Sequence, residues 1–221
     1  MRLEAIERHV VGQDWITLLL LLVLVVLVAT KYTFPQRFNH FVMLFATDKY
    51  LLLKGKDPKI FHPFNLLFFT VNIITVALFI FIFYNGISED QPDRPKVLYL
   101  RIATAYATFV LLKFTIEKIL ANIVSADKQL NFYLFYKLSY RNFMALVLLP
   151  VCMAFIYIWE PSILALYICI GILLLMNLIT IVSLYRKNQQ FILTRWFYFI
   201  LYLCALEIGP YFILYKLITK L

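Results

Sequence analysis

An acidic residue inside a long apolar segment is the first feature of this chain that could do chemistry. Glu207 lies in the sequence Ala-Leu-Glu-Ile-Gly-Pro, near the middle of the last apolar segment. An ionised side chain at the centre of a bilayer costs about 2.5 kcal/mol or more. It persists when it is protonated, paired or beside a polar cavity. Glu207 therefore predicts either a structural hydrogen bond between helices or a proton-transfer site.

A second candidate is formed by Lys113 and Glu117, which also lie within an apolar segment. Residues four apart share one face of a helix, so the two side chains can pair. One interpretation is a self-neutralised pair that holds helices together. The other is a buried polar site for protons, ions or a lipid headgroup. Lys113 is also the candidate partner for Glu207.

Polar residues at the ends of apolar segments form a third group. His62 and Asn65 lie at the start of the second segment, and Tyr140, Arg141 and Asn142 precede the fourth. This position predicts a polar cluster at the cytoplasmic membrane surface. His62 fits an interfacial hydrogen-bonding residue, with catalysis as the alternative.

Recognisable cofactor and catalytic motifs are absent from the sequence. His9, His40 and His62 lie outside the apolar segments, and the chain has no HExxH, no phosphate-binding glycine loop and no GxSxG. Cys152, Cys169 and Cys204 lie inside apolar segments without zinc spacing. We therefore assign no catalytic residue, metal ligand or cofactor, and a non-enzymatic protein is favoured over an enzyme.

The composition indicates which elements must position these residues. Of the 221 residues 63% are hydrophobic and 15% charged, against about 25% charged in soluble domains. A bilayer-spanning helix needs about 20 apolar residues. The sequence predicts an all-α integral membrane bundle of six transmembrane helices forming one domain over 1–221. The predicted spans are 15–34, 64–84, 97–124, 142–159, 162–185 and 195–216.

Basic residues predict the orientation of these spans. The loops after the first, third and fifth predicted helices hold twelve Lys and Arg residues, and the opposite side holds seven. Cytoplasmic loops carry the excess of such residues. We expect both termini to face outward. Although the net charge is +9, its position beside apolar runs favours anionic lipids at the cytoplasmic face over nucleic acid.

Two segments between the spans have an amphipathic or aromatic character. In 35–46, phenylalanines recur at helical spacing, which predicts a helix in the headgroup plane. The stretch 128–140 combines aromatic and basic residues. It is interpreted as an aromatic belt that anchors helix ends, or alternatively as a docking surface for a partner.

Five short stretches carry a family resemblance: Asp-Trp-Ile-Thr at 14–17, His-Pro-Phe-Asn at 62–65, the charged segment 113–118, Lys-Leu-Ser-Tyr-Arg-Asn at 137–142, and 202–211. With them the chain resembles a family of uncharacterised multi-pass membrane proteins of Bacteroidota, a domain of unknown function. The resemblance implies a location in the inner membrane. It implies no activity, substrate or cofactor.

Three functions remain open from the sequence. The leading hypothesis is a non-enzymatic subunit of an inner-membrane complex for export, secretion or envelope assembly, with a membrane-protein partner. The second is a small proton-coupled transporter that uses Glu207, Lys113 and Glu117. The third is a lipid-modifying enzyme at the cytoplasmic interface around His62 and Arg141.

Overall fold

The computed structural model describes residues 14–43, 62–87, 94–123, 127–159 and 161–187. Within these ranges the chain forms six α-helices and no strand. They are α1 (Asp14–Thr33), α2 (Pro35–Val42), α3 (Pro63–Ile87), α4 (Pro95–Ile123), α5 (Asp127–Tyr157) and α6 (Ile163–Lys187). The all-helical class is thus confirmed. The predicted span 195–216, with Glu207, lies outside the described residues.

Proline marks the beginning of three helices. Pro35, Pro63 and Pro95 are the first residues of α2, α3 and α4. The first turn of a helix has no internal acceptor for its N–H groups, so proline loses nothing there, and its fixed φ suits the helix. The sequence therefore sets these three starts locally.

Four helices are long and apolar enough to cross a membrane, which indicates membrane association. The candidate spans are Asp14–Thr33, Pro63–Ile87, Pro95–Ile119 and Leu134–Tyr157. Helix α6 begins with an apolar stretch, Ile163–Ile179. The four long spans match the first four spans of the sequence prediction to within a few residues, except at the start of α5.

Helix α3 is the central element of the bundle and packs against α1, α4 and α5. Half of the residues in the most apolar part of α3 are buried, against 11% in the corresponding part of α4. At one end of the bundle, the Trp15 ring lies 5.5 Å from the Phe81 ring and 5.4 Å from the Tyr99 ring. At the other end, the Phe34 ring lies 5.2 Å from the His62 ring. We name these the Trp15 end and the His62 end; α1 and α3 therefore run antiparallel.

The amphipathic segment after α1 forms a helix, α2, but its phenylalanines do not all face lipid. Phe41 is only 1% exposed. Its ring lies 4.4 Å from the Phe68 ring, 5.7 Å from Phe64 and 6.0 Å from Phe143. Aromatic pairs at such distances add to the free energy of burial. The short helix thus closes the His62 end of the core.

The prediction for 128–140 was wrong. Instead of a loop, these residues belong to α5, a 31-residue helix that begins at Asp127, not at 142. Phe135, Tyr136 and Tyr140 are buried in the core, so they form neither an aromatic belt nor an exposed docking surface. Apolar length alone located the start of the span, and the polar and charged residues before 142 do not meet that criterion.

A close approach joins α3 and α6 at the Trp15 end. A Cβ on Gly86 would lie 2.7 Å from the Leu166 Cδ1 atom, and Leu166 is fully buried. A side chain at position 86 would therefore force the Leu166 side chain to shift. Cys152 is buried and, like Cys169, is a free thiol, in agreement with a packing role.

Candidate functional site

The charged residues of α4 and α5 face one another across a cleft. Lys113 and Glu117 come from α4, and Lys137 and Arg141 come from α5. On each helix the two residues are four apart, so each pair occupies one face. Apolar walls surround them: Val110, Phe114, Leu134 and Leu138. The helical repeat thus places three cations and one carboxylate in one cleft.

The carboxylate of Glu117 is held by an ion pair between the two helices. Lys137 Nζ lies 2.7 Å from Glu117 Oε1, within hydrogen-bond distance. The Glu117 side chain is 3% exposed and that of Lys137 is 24% exposed. The sequence predicted Lys113 as the neighbour of Glu117 and did not identify Lys137. The matching four-residue spacing of Lys137 and Arg141 was the signal that could have found it.

The cleft lies toward the His62 end of the bundle. Glu117 is six residues before the end of α4 at Ile123, and Lys137 is ten residues after the start of α5 at Asp127. Long basic side chains near the end of a span can extend toward the membrane surface.

A hydrogen-bond chain continues from the cleft toward the middle of the bundle. Asn72, which is fully buried, donates from Nδ2 to the Arg141 carbonyl at 3.0 Å. The Tyr106 hydroxyl donates to Asn72 Oδ1 at 3.1 Å. Asn72 therefore links α3 to both α4 and α5. Neither Asn72 nor Tyr106 was identified from the sequence, because one uncharged polar residue in an apolar segment has no distinctive spacing.

Arg141 has two different environments for its backbone and its side chain. Its carbonyl accepts from Asn72, while the guanidinium carbon lies 5.6 Å from the centre of the Phe69 ring. This distance is within the range of cation–π attraction, which orients a guanidinium group. The side chain is half-buried. The protein thus positions a cation at the cleft without removing it fully from the surface.

The predicted surface cluster of Tyr140, Arg141 and Asn142 is not formed. Tyr140 is buried and stacks on Tyr136 at 4.8 Å, and the Tyr136 hydroxyl donates to the Tyr140 hydroxyl at 3.3 Å. Asn142 is 2% exposed. Three consecutive residues of a helix point about 100° apart, so they cannot share one surface. Only Arg141 belongs to the cleft.

His62 has a structural contact at the start of α3. Its Nδ1 atom accepts a hydrogen bond from the Phe64 N–H at 3.2 Å, and its ring packs edge-on against Phe34. Asn65 is buried, and its N–H donates to the His62 carbonyl. These bonds satisfy N–H groups in the first helical turn. The contact pattern is that of a helix cap.

No three His, Cys, Asp or Glu side chains come together in a metal-binding arrangement within the ranges that the structure describes. The cavity inside the cleft has a volume of about 20 Å³, which is enough for roughly one water molecule. Its charges can hold water, a proton or an anion at the rim. An organic substrate would require the helices to separate.

Comparison with known proteins identifies a family but no activity. The model of the family described as Domain of unknown function (DUF4271) matches residues 16–218. Neither the curated proteins nor the solved structures contain a match to this chain. Because the match extends over nearly the whole sequence, the chain belongs to the DUF4271 family, whose function is unknown.

Proposed function

We propose that this protein is a non-enzymatic integral-membrane subunit of an inner-membrane complex, of the kind that exports, secretes or assembles envelope components. The observation that carries the proposal is that the buried polar residues form contacts within and between the helices. His62 caps a helix, Glu117 is bound by Lys137, and Asn72 joins three helices. Groups engaged in this way stabilise a scaffold and are poorly placed to attack a substrate.

The proposal includes a bacterial inner-membrane location, six spans and both termini outside. Its support is the alternation of helix ends: the start of α1 meets the end of α3, and the end of α1 meets the start of α3. The excess of Lys and Arg in the loops after the first, third and fifth predicted helices supports a cytoplasmic location for the His62 end. Reporter fusions after Lys54 and after Leu221 should give opposite signals. A cytoplasmic C-terminal reporter contradicts the topology.

Purification from the native membrane tests the subunit proposal. The tagged full chain is extracted in a mild detergent, cross-linked and analysed by mass spectrometry beside an unrelated tagged multi-pass protein as the control. We expect one or more membrane proteins at fixed stoichiometry with this chain and absent from the control. Recovery of the chain alone, in the same form before and after cross-linking, would refute the proposal.

A second candidate function, a small proton-coupled transporter, is favoured by one observation. The buried Glu117 carboxylate adjoins a cavity of water size, and the chain of Tyr106 and Asn72 extends this polar zone into the bundle. Purified protein in liposomes should then move protons without any partner. Glu117→Gln should abolish this flux at normal abundance. Absence of flux in wild-type liposomes excludes this candidate.

The lipid-modifying enzyme around His62 and Arg141 stays a prediction. Arg141 belongs to the cleft, whereas His62 belongs to the cap of α3. The two residues therefore belong to different features of the described bundle.

A further inference from the structure

We infer that the last apolar segment of the chain, residues 195–216, packs on the face of α6 that carries Asn177, with Glu207 hydrogen-bonded to the Asn177 amide. This contact presupposes the sixth span of the proposed topology. It gives a docking surface to a segment that lies outside the described residues, and it gives a partner to the acidic residue of that segment.

One face of α6 is buried where the helix begins and exposed further along. Leu166, Ile170, Leu173 and Asn177 follow one another at intervals of three or four residues, so they share this face. Leu166 is fully buried beside Gly86 of α3. Ile170 and Leu173 are half-buried, and Asn177 is exposed. The face that packs against the bundle at the Trp15 end thus loses its cover toward the His62 end.

The exposed amide of Asn177 lies in an apolar part of the helix. Between Ile163 and Tyr185, α6 contains no Asp, Glu, Lys or Arg. Within the described ranges the Asn177 side chain makes no hydrogen bond. Lipid tails offer no hydrogen-bond partner, so an uncovered amide in a transmembrane helix is costly, and Asn side chains there bond across to neighbouring helices. The occupant of this face should therefore carry a hydrogen-bonding group.

The connection between the fifth and sixth predicted spans brings Glu207 to a similar depth. Arg186 and Arg195 bracket this connection; Asn177 lies nine residues before Arg186, and Glu207 lies twelve residues after Arg195. At 1.5 Å per residue these separations are about 14 and 18 Å along the helix axes, a difference of less than one turn. Consecutive helices with a short connection are usually neighbours. The last segment is therefore the occupant that chain length and polar chemistry both favour.

A carboxylic acid and an amide satisfy each other without a net charge. Protonated Glu207 donates its O–H to the Asn177 carbonyl oxygen, and its other oxygen accepts from Nδ2. Because neither group is ionised, the cost of an ion in hydrocarbon is avoided. Lys113, the partner that the sequence suggested for Glu207, lines the cleft between α4 and α5 and is not on α6.

Cysteine cross-linking of the full chain in its native membrane tests this contact. The three native cysteines are first replaced by alanine, and a protease site is inserted after Gln189. Asn177→Cys with Glu207→Cys is then oxidised with copper phenanthroline and cleaved. Disulfides form where the two Cα atoms are within about 7 Å, so we expect the two fragments of one chain to remain joined until a reductant is added.

The matched control is Leu175→Cys with Glu207→Cys. Leu175 is exposed and similar in depth to Asn177, but it lies about 160° around the helix. We expect at least tenfold fewer joined fragments from this pair. If the first pair is not inserted at normal abundance, Leu173→Cys with Tyr211→Cys tests the same face one turn nearer the Trp15 end.

A double-variant comparison tests the hydrogen bond itself. Asn177→Leu and Glu207→Leu should each lower the SDS concentration at which the protein unfolds, because each leaves one polar group without its partner. The double variant removes both groups, so its shift should be smaller than the two single shifts combined. Glu207→Gln retains an amide that can bond to Asn177 and should keep most of the stability. Additive shifts would show that the two side chains do not meet.

Three cross-linking outcomes also overturn the inference. They are the same amount of joined fragments from the Leu175 control, a disulfide between two chains, and a preferred link of Glu207→Cys to Lys113→Cys. The second identifies another copy of the chain as the occupant. Absence of any link, with the C-terminal reporter outside, refutes the packing alone, whereas a cytoplasmic reporter refutes the sixth span. The subunit proposal is tested separately by purification of the complex.

Discussion

The ion pair between Glu117 and Lys137 predicts an asymmetry between its two single variants. The Glu117 side chain is 3% exposed and the Lys137 side chain is 24% exposed. Lys137→Met removes the cation and leaves a carboxylate with almost no access to water. Glu117→Gln leaves an ammonium group that can turn toward the surface. We therefore expect Lys137→Met to be the more damaging substitution.

The magnitudes follow from the alternatives open to each remaining charge. Removing one partner of a buried pair costs about 3–5 kcal/mol. Lys137→Met should thus lose about 3–4 kcal/mol of unfolding free energy. Glu117→Gln should lose about 1–2 kcal/mol, as for a charge-assisted hydrogen bond that water partly replaces.

The double variant separates pairing from general damage. Glu117→Gln with Lys137→Met removes both charges, so no buried ion remains. Its loss should be about 1–2 kcal/mol, smaller than the sum of the two single losses by roughly 3 kcal/mol. Unfolding is measured by adding SDS to the protein in mixed micelles and following circular dichroism. Equal losses in the two single variants, or an additive double variant, would refute the reasoning.

Three further predictions concern close packing, the polar chain and the last apolar segment. Gly86→Ala should destabilise the protein by about 1–3 kcal/mol because of the 2.7 Å approach, whereas Gly171→Ala, with no atom within 4 Å, should be neutral or slightly stabilising in the same SDS titration. Asn72→Leu should cost more than Tyr106→Phe, since it removes two hydrogen bonds rather than one, and combining them should add little to the Asn72→Leu loss. Glu207→Gln should complement a deletion strain if Glu207 is a neutral structural acid, and Glu207→Leu should not; failure of the Gln variant at normal abundance indicates proton transfer or an anionic pair.

The sequence predicted the helices where local physics determines them. Apolar length located the first three spans to within a few residues, and prolines at 35, 63 and 95 mark the starts of three helices. The start of α5 at Asp127 was missed, because the polar and basic residues before 142 were taken for a loop. The burial of Phe135 and Tyr136 depends on tertiary packing, which the pattern of one segment does not determine.

For the candidate site, the sequence identified the face of α4 that carries the charges but not the residue on α5 that pairs with Glu117. The spacing of Lys113 and Glu117 placed both on one side of α4, as found. The identity of Lys137 as the ion-pair partner depends on how α4 and α5 meet, which periodicity does not determine. The surface cluster around Arg141 was wrong for Tyr140 and Asn142, since adjacency in sequence was taken for adjacency in space.

The distribution of charge along the bundle constrains where its function operates. Among the described residues, the ion pair of Glu117 with Lys137 and the cleft with its four charged side chains lie toward the His62 end, whereas the Trp15 end is held by aromatic contacts and the bond between the Thr17 and Tyr157 hydroxyls. Ionisable residues inside a membrane are costly and commonly mark functional sites. The protein partner that we propose for this chain would therefore contact the His62 end. The reporter fusion after Lys54 determines which compartment that end faces, and so which partners can reach it.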